Sequence, residues 1–288
     1  MMISNLIAAF GGGVLGACIG ALPVFILTGI VAIAGGVVTL AGGADLSVGS
    51  IAFGSILGPH IAFAGGVAAA AYSANKKKDL DAGTNILASL NGFEDSATLL
   101  VGGIFGVFGF LLSYLYGDIL KIPTDIPAIS VFTLAIITRL ILGTSGLRGR
   151  DDEDCERAYF KKGKSLGYSI VFGGGIGIAI SYVGYSLLAS GVSSELLGIY
   201  PVICFGISAT ALIFTQTGFA TPATHHITLP AAAATIMSGN PIVGVIFAII
   251  GTLLGDLAAN VLNTNCDSHI DPPATSIMIV MLVINLLF

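Results

Sequence analysis

Two stretches of this chain carry the same polar pattern at the start of a hydrophobic run. They are Asp125-Ile-Pro-Ala-Ile-Ser130 and Asp271-Pro-Pro-Ala-Thr-Ser276, both D-x-P-A-x-S. An Asp just before a helix, with Pro in its first turn, is an N-cap pattern. The carboxylate accepts from free backbone N–H groups, and proline needs no partner there. The same carboxylates, with Ser130 and Ser276, are also candidates to line a path for a solute or cation. All four histidines lie in or beside related motifs: His60 in GPHIAF, His225 and His226 in THHITL, and His269 two residues before Asp271. Asp256 and Asn260, four residues apart, share one helical face.

His225, His226, His269 and Asp271, with Cys266 and Asp267, are also candidate metal donors by ligand type. Their spacing matches no established metal motif, so the sequence requires no cofactor. There is no P-loop, no G-x-S-x-G and no H-E-x-x-H. Phe172-Gly-Gly-Gly-Ile-Gly177 sits inside an apolar run without a preceding soluble strand, which argues against a dinucleotide fold.

These groups are set in an unusually apolar chain. Of 288 residues, 55% are hydrophobic and only 9% are charged, and mean hydropathy is +0.97. A soluble domain carries roughly 25% charged residues. A soluble globule, a nucleic-acid binder and a disordered chain are therefore excluded, which leaves an integral membrane protein. The 40 glycines suit close helix packing in lipid. The four cysteines have no CxxC spacing, and no disulfide framework is expected. The N-terminal apolar stretch lacks a basic start and reads as a first span rather than a removed signal peptide.

A bilayer core needs about 20 apolar residues per helix. That ruler gives ten spans, near 3–22, 23–43, 58–74, 98–117, 126–143, 166–190, 197–219, 222–237, 241–262 and 270–288. Residues 45–57 read as a re-entrant or interfacial piece. Loops 75–97 and 144–164 then lie on one side and hold nine of the eleven basic residues, with Arg139 near the end of the fifth span making ten and Lys121 the exception. The positive-inside rule makes that side cytoplasmic and both termini external.

The sequence also repeats. Residues 101–115 and 243–257 are identical at eight of fifteen positions without a gap. The D-x-P-A-x-S pair lies downstream of each copy, and His60-Ile61 pairs with His226-Ile227 upstream. Phe10-Gly-Gly-Gly13 pairs with Phe172-Gly-Gly-Gly175, and Pro23-Val24 with Pro201-Val202, all in the same order. The sequence therefore reads as an all-α polytopic membrane protein. Residues 1–143 form a first five-span repeat, 144–164 a charged linker, and 165–288 a second, inverted repeat. Each repeat carries a short, broken or re-entrant helix.

Inverted repeats are a recurrent ground plan of transporters, with the solute near the midplane. The expected function is a transporter or channel of the cell membrane for a small polar or ionic solute. The expected path passes His60, Asp125, Ser130, His225, His226, Asp256, Asp271 and Ser276. Its expected partners are the bilayer, the solute and, with room for it, further copies of the chain, but no nucleic acid. Two other readings stand beside it: a transition-metal-binding protein or intramembrane enzyme, and a membrane anchor holding a partner through residues 144–164.

Overall fold

The computed structural model of the protein describes residues 2–43, 51–150 and 157–288, and among these it is entirely helical. Five helices are long and apolar enough to cross a membrane. They are α1 (Met2–Ile19), α2 (Ala21–Leu40), α4 (Ser96–Tyr114, extended by a wide turn to Ile119), α6 (Gly163–Ala189) and α11 (Pro241–Leu262). Three shorter apolar stretches follow: α5 (Ile126–Leu142), α8 with α9 (Tyr200–Ala211 and Ile213–Gln216) and α12 (Pro272–Leu287). The remaining helices are α3 (Ala64–Tyr72), α7 (Ser194–Leu197) and α10 (His225–Ser238).

Local chemistry sets these boundaries. Asp95 accepts from the Thr98 backbone N–H at 2.9 Å and starts α4. Asn240 caps α11 by accepting from the Ile242 N–H at 2.9 Å. Gly20, at φ 102°, makes the sharp break between α1 and α2, a conformation that a side chain would resist.

Each segment read from the sequence as a span holds helix, but only five of the ten hold one long and apolar enough to cross a membrane, and two others differ further. The third runs unbroken from Pro59 to Lys77, with wide turns on both sides of α3. The seventh stops at Ala211, and a single turn, α9, carries the chain onward. Of the proposed re-entrant piece 45–57, residues 45–50 lie outside the described residues. Of the rest, Ile51 and Ala52 lie in a wide helical turn and 53–57 are bend and turn structure tied to α2, where the Thr28 hydroxyl donates to the Leu57 carbonyl at 2.7 Å.

The outward faces are apolar. On α4, Leu100, Ile104, Phe108 and Leu111 lie at helical spacing and are all exposed. An uncovered stripe of this kind fits a hydrocarbon surround far better than water. The inward faces are built from small residues, so backbones touch. Gly109 of α4 packs against the His60 carbonyl, and Gly251 of α11 packs against the His226 carbonyl. At both places a Cβ would overlap the carbonyl oxygen, and only glycine permits the approach.

The two halves of the chain pack alike. α1 lies on α3 and α4, and α6 lies on α10 and α11. α3 contacts α4 and α5, as α10 contacts α11 and α12. Between the halves, α2 packs on α8 and α5 on α12. The Thr124 hydroxyl donates to the Met278 carbonyl at 2.5 Å across the α5–α12 boundary. The largest apolar cluster also straddles the halves, joining Phe25, Phe63 and Val131 to Phe205, Leu229 and Ile277.

Candidate functional site

A cavity of about 400 Å³ lies between the halves. That size is within the ordinary range for small-molecule sites. The N-terminal ends of α5, α10 and α12 reach it, bringing Asp125, His225, His226 and Asp271 to its wall. Asp256 of α11 and His269 complete the ionisable lining.

Asp125 and Asp271 hold matching positions. One oxygen of Asp125 accepts from the Ala128 backbone N–H at 2.8 Å, and one oxygen of Asp271 from the Ala274 N–H at 2.8 Å. Both therefore cap a helix and face a cavity. Their surroundings differ in one respect: His269 Nε2 lies 3.3 Å from the other Asp271 oxygen. Asp256 is engaged more fully, by Lys161 Nζ at 2.7 Å and the Ser169 hydroxyl at 2.6 Å. His225 and His226 are almost fully buried, and the Nδ1 atom of each lacks a hydrogen-bond partner. The His225 ring sits 4.9 Å from that of Phe25 and 5.7 Å from that of Phe205.

Three sequence candidates stand elsewhere. Ser130 and Ser276 are fully buried but do not line the cavity. The Ser276 hydroxyl donates to the Gly251 carbonyl at 2.8 Å, and the Ser130 hydroxyl has no partner. The reason is rotational. Five residues along a helix turn a side chain about 140° from the face of its cap, so Asp and Ser of this motif point apart. His60 is buried at the start of the third helix, where its carbonyl receives Gly109, and it too is outside the cavity wall.

The proposed metal donors do not form a ligand set. His225, His226, His269 and Asp271 share the cavity wall, but no three His, Cys, Asp or Glu side chains converge among the described residues. Asp271 is occupied by Ala274 and His269, and the Cys266 thiol donates to the Ser268 carbonyl at 3.3 Å.

Two features were not legible beforehand. One is an aromatic wall of Phe25, Phe53, Phe63 and Phe205 lining the cavity. Aromatic residues spread over four segments carry no shared spacing that would have gathered them. The other is a polar clasp between the halves. Arg139 is 1% exposed near the end of α5. It donates to the Ser268 hydroxyl at 2.9 Å, the Leu147 carbonyl at 3.0 Å and Asn263 Oδ1 at 3.2 Å, and also to the Leu262 and Ser268 carbonyls. Asp267 lies beside it and accepts from the backbone N–H and hydroxyl of both Thr144 and Ser145. Burial opposes the charge of Asp267, but the hydrogen bonds from Ser145 and Thr144 outweigh it and lower its pKa below the usual carboxylate value. In the sequence Asp267 stands only as a candidate metal donor, and no spacing links it to Arg139.

Fold and site thus define a class: an all-helical protein with several helices able to cross a membrane, and one mixed polar and aromatic cavity between two similarly packed halves. The chain belongs to a family described as "Family of unknown function (DUF7973)", which matches residues 1–161 and 187–288. No curated protein and no solved structure matches the chain.

Proposed function

We infer that the protein moves a small polar or ionic solute across the cell membrane, through the cavity between two inverted five-helix repeats. One observation carries this reading. Asp125 and Asp271, equivalent in the sequence repeat, approach a single cavity from the two halves. Ionisable groups are costly at membrane depth and mark pathways there. Helices that begin inside the protein next to a cavity are a recurrent way of building a midplane solute site.

The reading gains support from the matched packing of the two halves and from the paired contacts Gly109–His60 and Gly251–His226. With an odd number of spans per repeat, the second half enters the membrane inverted. Loops 75–97 and 144–164 then face the cytoplasm, and both termini face outward. Asn75, Thr144, Ser145 and Asp267 join on that side, since the Asn75 side-chain amide donates to the Asp267 carbonyl at 2.7 Å.

The test is access to the cavity from water. Ala128 and Ala274 line it next to the two carboxylates. In a cysteine-free chain reconstituted in one orientation, Ala128→Cys and Ala274→Cys are expected to react with membrane-impermeant thiol reagents. Between them they should give labelling from both faces. Val280→Cys, in the packed core behind α12, is expected to stay unlabelled. Failure of both cavity positions to react from either side would overturn the reading.

A further inference from the structure

We propose that the solute is an organic cation, its charge facing Asp125 and its apolar body held by the phenylalanine wall. This rests on the transport reading above and adds the chemical class of the solute.

Charge is the first argument. The cavity wall holds Asp125, Asp256 and Asp271, and among the described residues no lysine or arginine lines it. Asp256 is paired with Lys161, and Asp271 shares its second oxygen with His269. Asp125 accepts only the cap hydrogen bond from Ala128 and has no basic side chain against it among the described residues. A positively charged solute supplies the counter-charge that the cavity lacks.

The wall is the second argument. Phe63 and Phe25 have ring centres 5.6 Å apart, Phe25 and Phe205 5.5 Å, and Phe205 and Phe53 5.3 Å. All four reach the cavity, among Leu, Ile, Val, Ala and Pro side chains. Aromatic faces attract cations, and desolvation strengthens the attraction. A bare inorganic cation instead needs a shell of six or so oxygen ligands, and carbon walls do not provide one.

The third argument is polar capacity left over. His225 and His226 are each more than nine-tenths buried, line the cavity, and leave Nδ1 without a partner. They offer polar contacts to substituents on the solute. The helix ends at the cavity would by themselves attract an anion. Those of α5 and α12, however, are already capped by Asp125 and Asp271.

Calorimetric titration of the full-length protein in detergent tests this. The probes are trimethylphenylammonium, its anionic counterpart benzenesulfonate, and potassium chloride. Saturable binding of trimethylphenylammonium is expected, at least tenfold tighter than either of the others. Asp125→Asn is expected to weaken it tenfold or more while keeping the helix cap, since Asn caps as well as Asp. Phe53→Leu, a change outside the helices, is expected to weaken it several-fold, and it decides the matter if the Asp125 variant fails to fold. Tighter binding of benzenesulfonate or potassium, no binding of the ammonium probe, or unchanged affinity in the variants would overturn the proposal. Thiol labelling of the cavity from both faces with no ammonium binding would discard the solute class alone; absent labelling would discard the pathway as well.

Discussion

Asp125→Ala is expected to damage the protein in two ways that Asp125→Asn separates. The carboxylate caps α5 through the Ala128 N–H and also gives the cavity a charge with no basic partner beside it among the described residues. Alanine removes both. Losing an N-cap costs about 1 kcal/mol, within a range of roughly 0.5–2, so the melting temperature should drop measurably. Losing the charge should reduce solute flux at least tenfold. Asparagine restores the cap and not the charge, so wild-type stability with flux still lost is expected. Equal flux in wild type and Asp125→Asn would show that Asp125 is a cap and nothing more. Asp271→Asn is the parallel case, softened by the His269 contact on its second oxygen.

The clasp between the halves yields the second large effect. Arg139→Met replaces a buried side chain that makes five hydrogen bonds, to the end of α11, the segment between α11 and α12, and the loop after α5. Its carbonyl acceptors at Leu147, Leu262 and Ser268 would remain without their donor. Leaving buried hydrogen-bonding groups without their partner costs on the order of 1–3 kcal/mol, so a loss of at least that order is expected. Arg139→Lys keeps the charge but loses the planar fork of donors, and an intermediate loss is expected. Denaturation of purified protein checks both, and a change under about 1 kcal/mol for Arg139→Met would contradict the assigned role.

Asp267 adds a pH signature to the clasp. Its folded pKa lies below the ordinary 3.8. The stability it contributes is therefore fully present above that value and is lost as pH falls through the lower, folded value. Asp267→Asn should flatten this acid-side loss.

Much of the architecture could be read from composition and spacing. Low charge content pointed to helices able to cross a membrane, and the apolar runs located them, because length and hydropathy are local properties. The D-x-P-A-x-S pairs identified the starts of α5 and α12, because a cap and a first-turn proline act within four residues. Contacts made across the chain were less accessible. Ser130 and Ser276 looked like partners of the carboxylates in sequence, but helical rotation turns them away. The aromatic wall draws on α2, the turn at Phe53, the start of the third helix and α8, and no periodicity links these. The clasp joins Arg139 to residues more than 120 positions away, and only the packing of α5 beside α12 and the preceding segment explains it.

Flux measures most directly whether the cavity carries an organic cation across the membrane. Full-length protein in liposomes should take up labelled trimethylphenylammonium in a saturable way, faster than protein-free liposomes. Asp125→Asn should reduce that uptake tenfold or more. Uptake that is the same for wild type, variant and protein-free liposomes would contradict it.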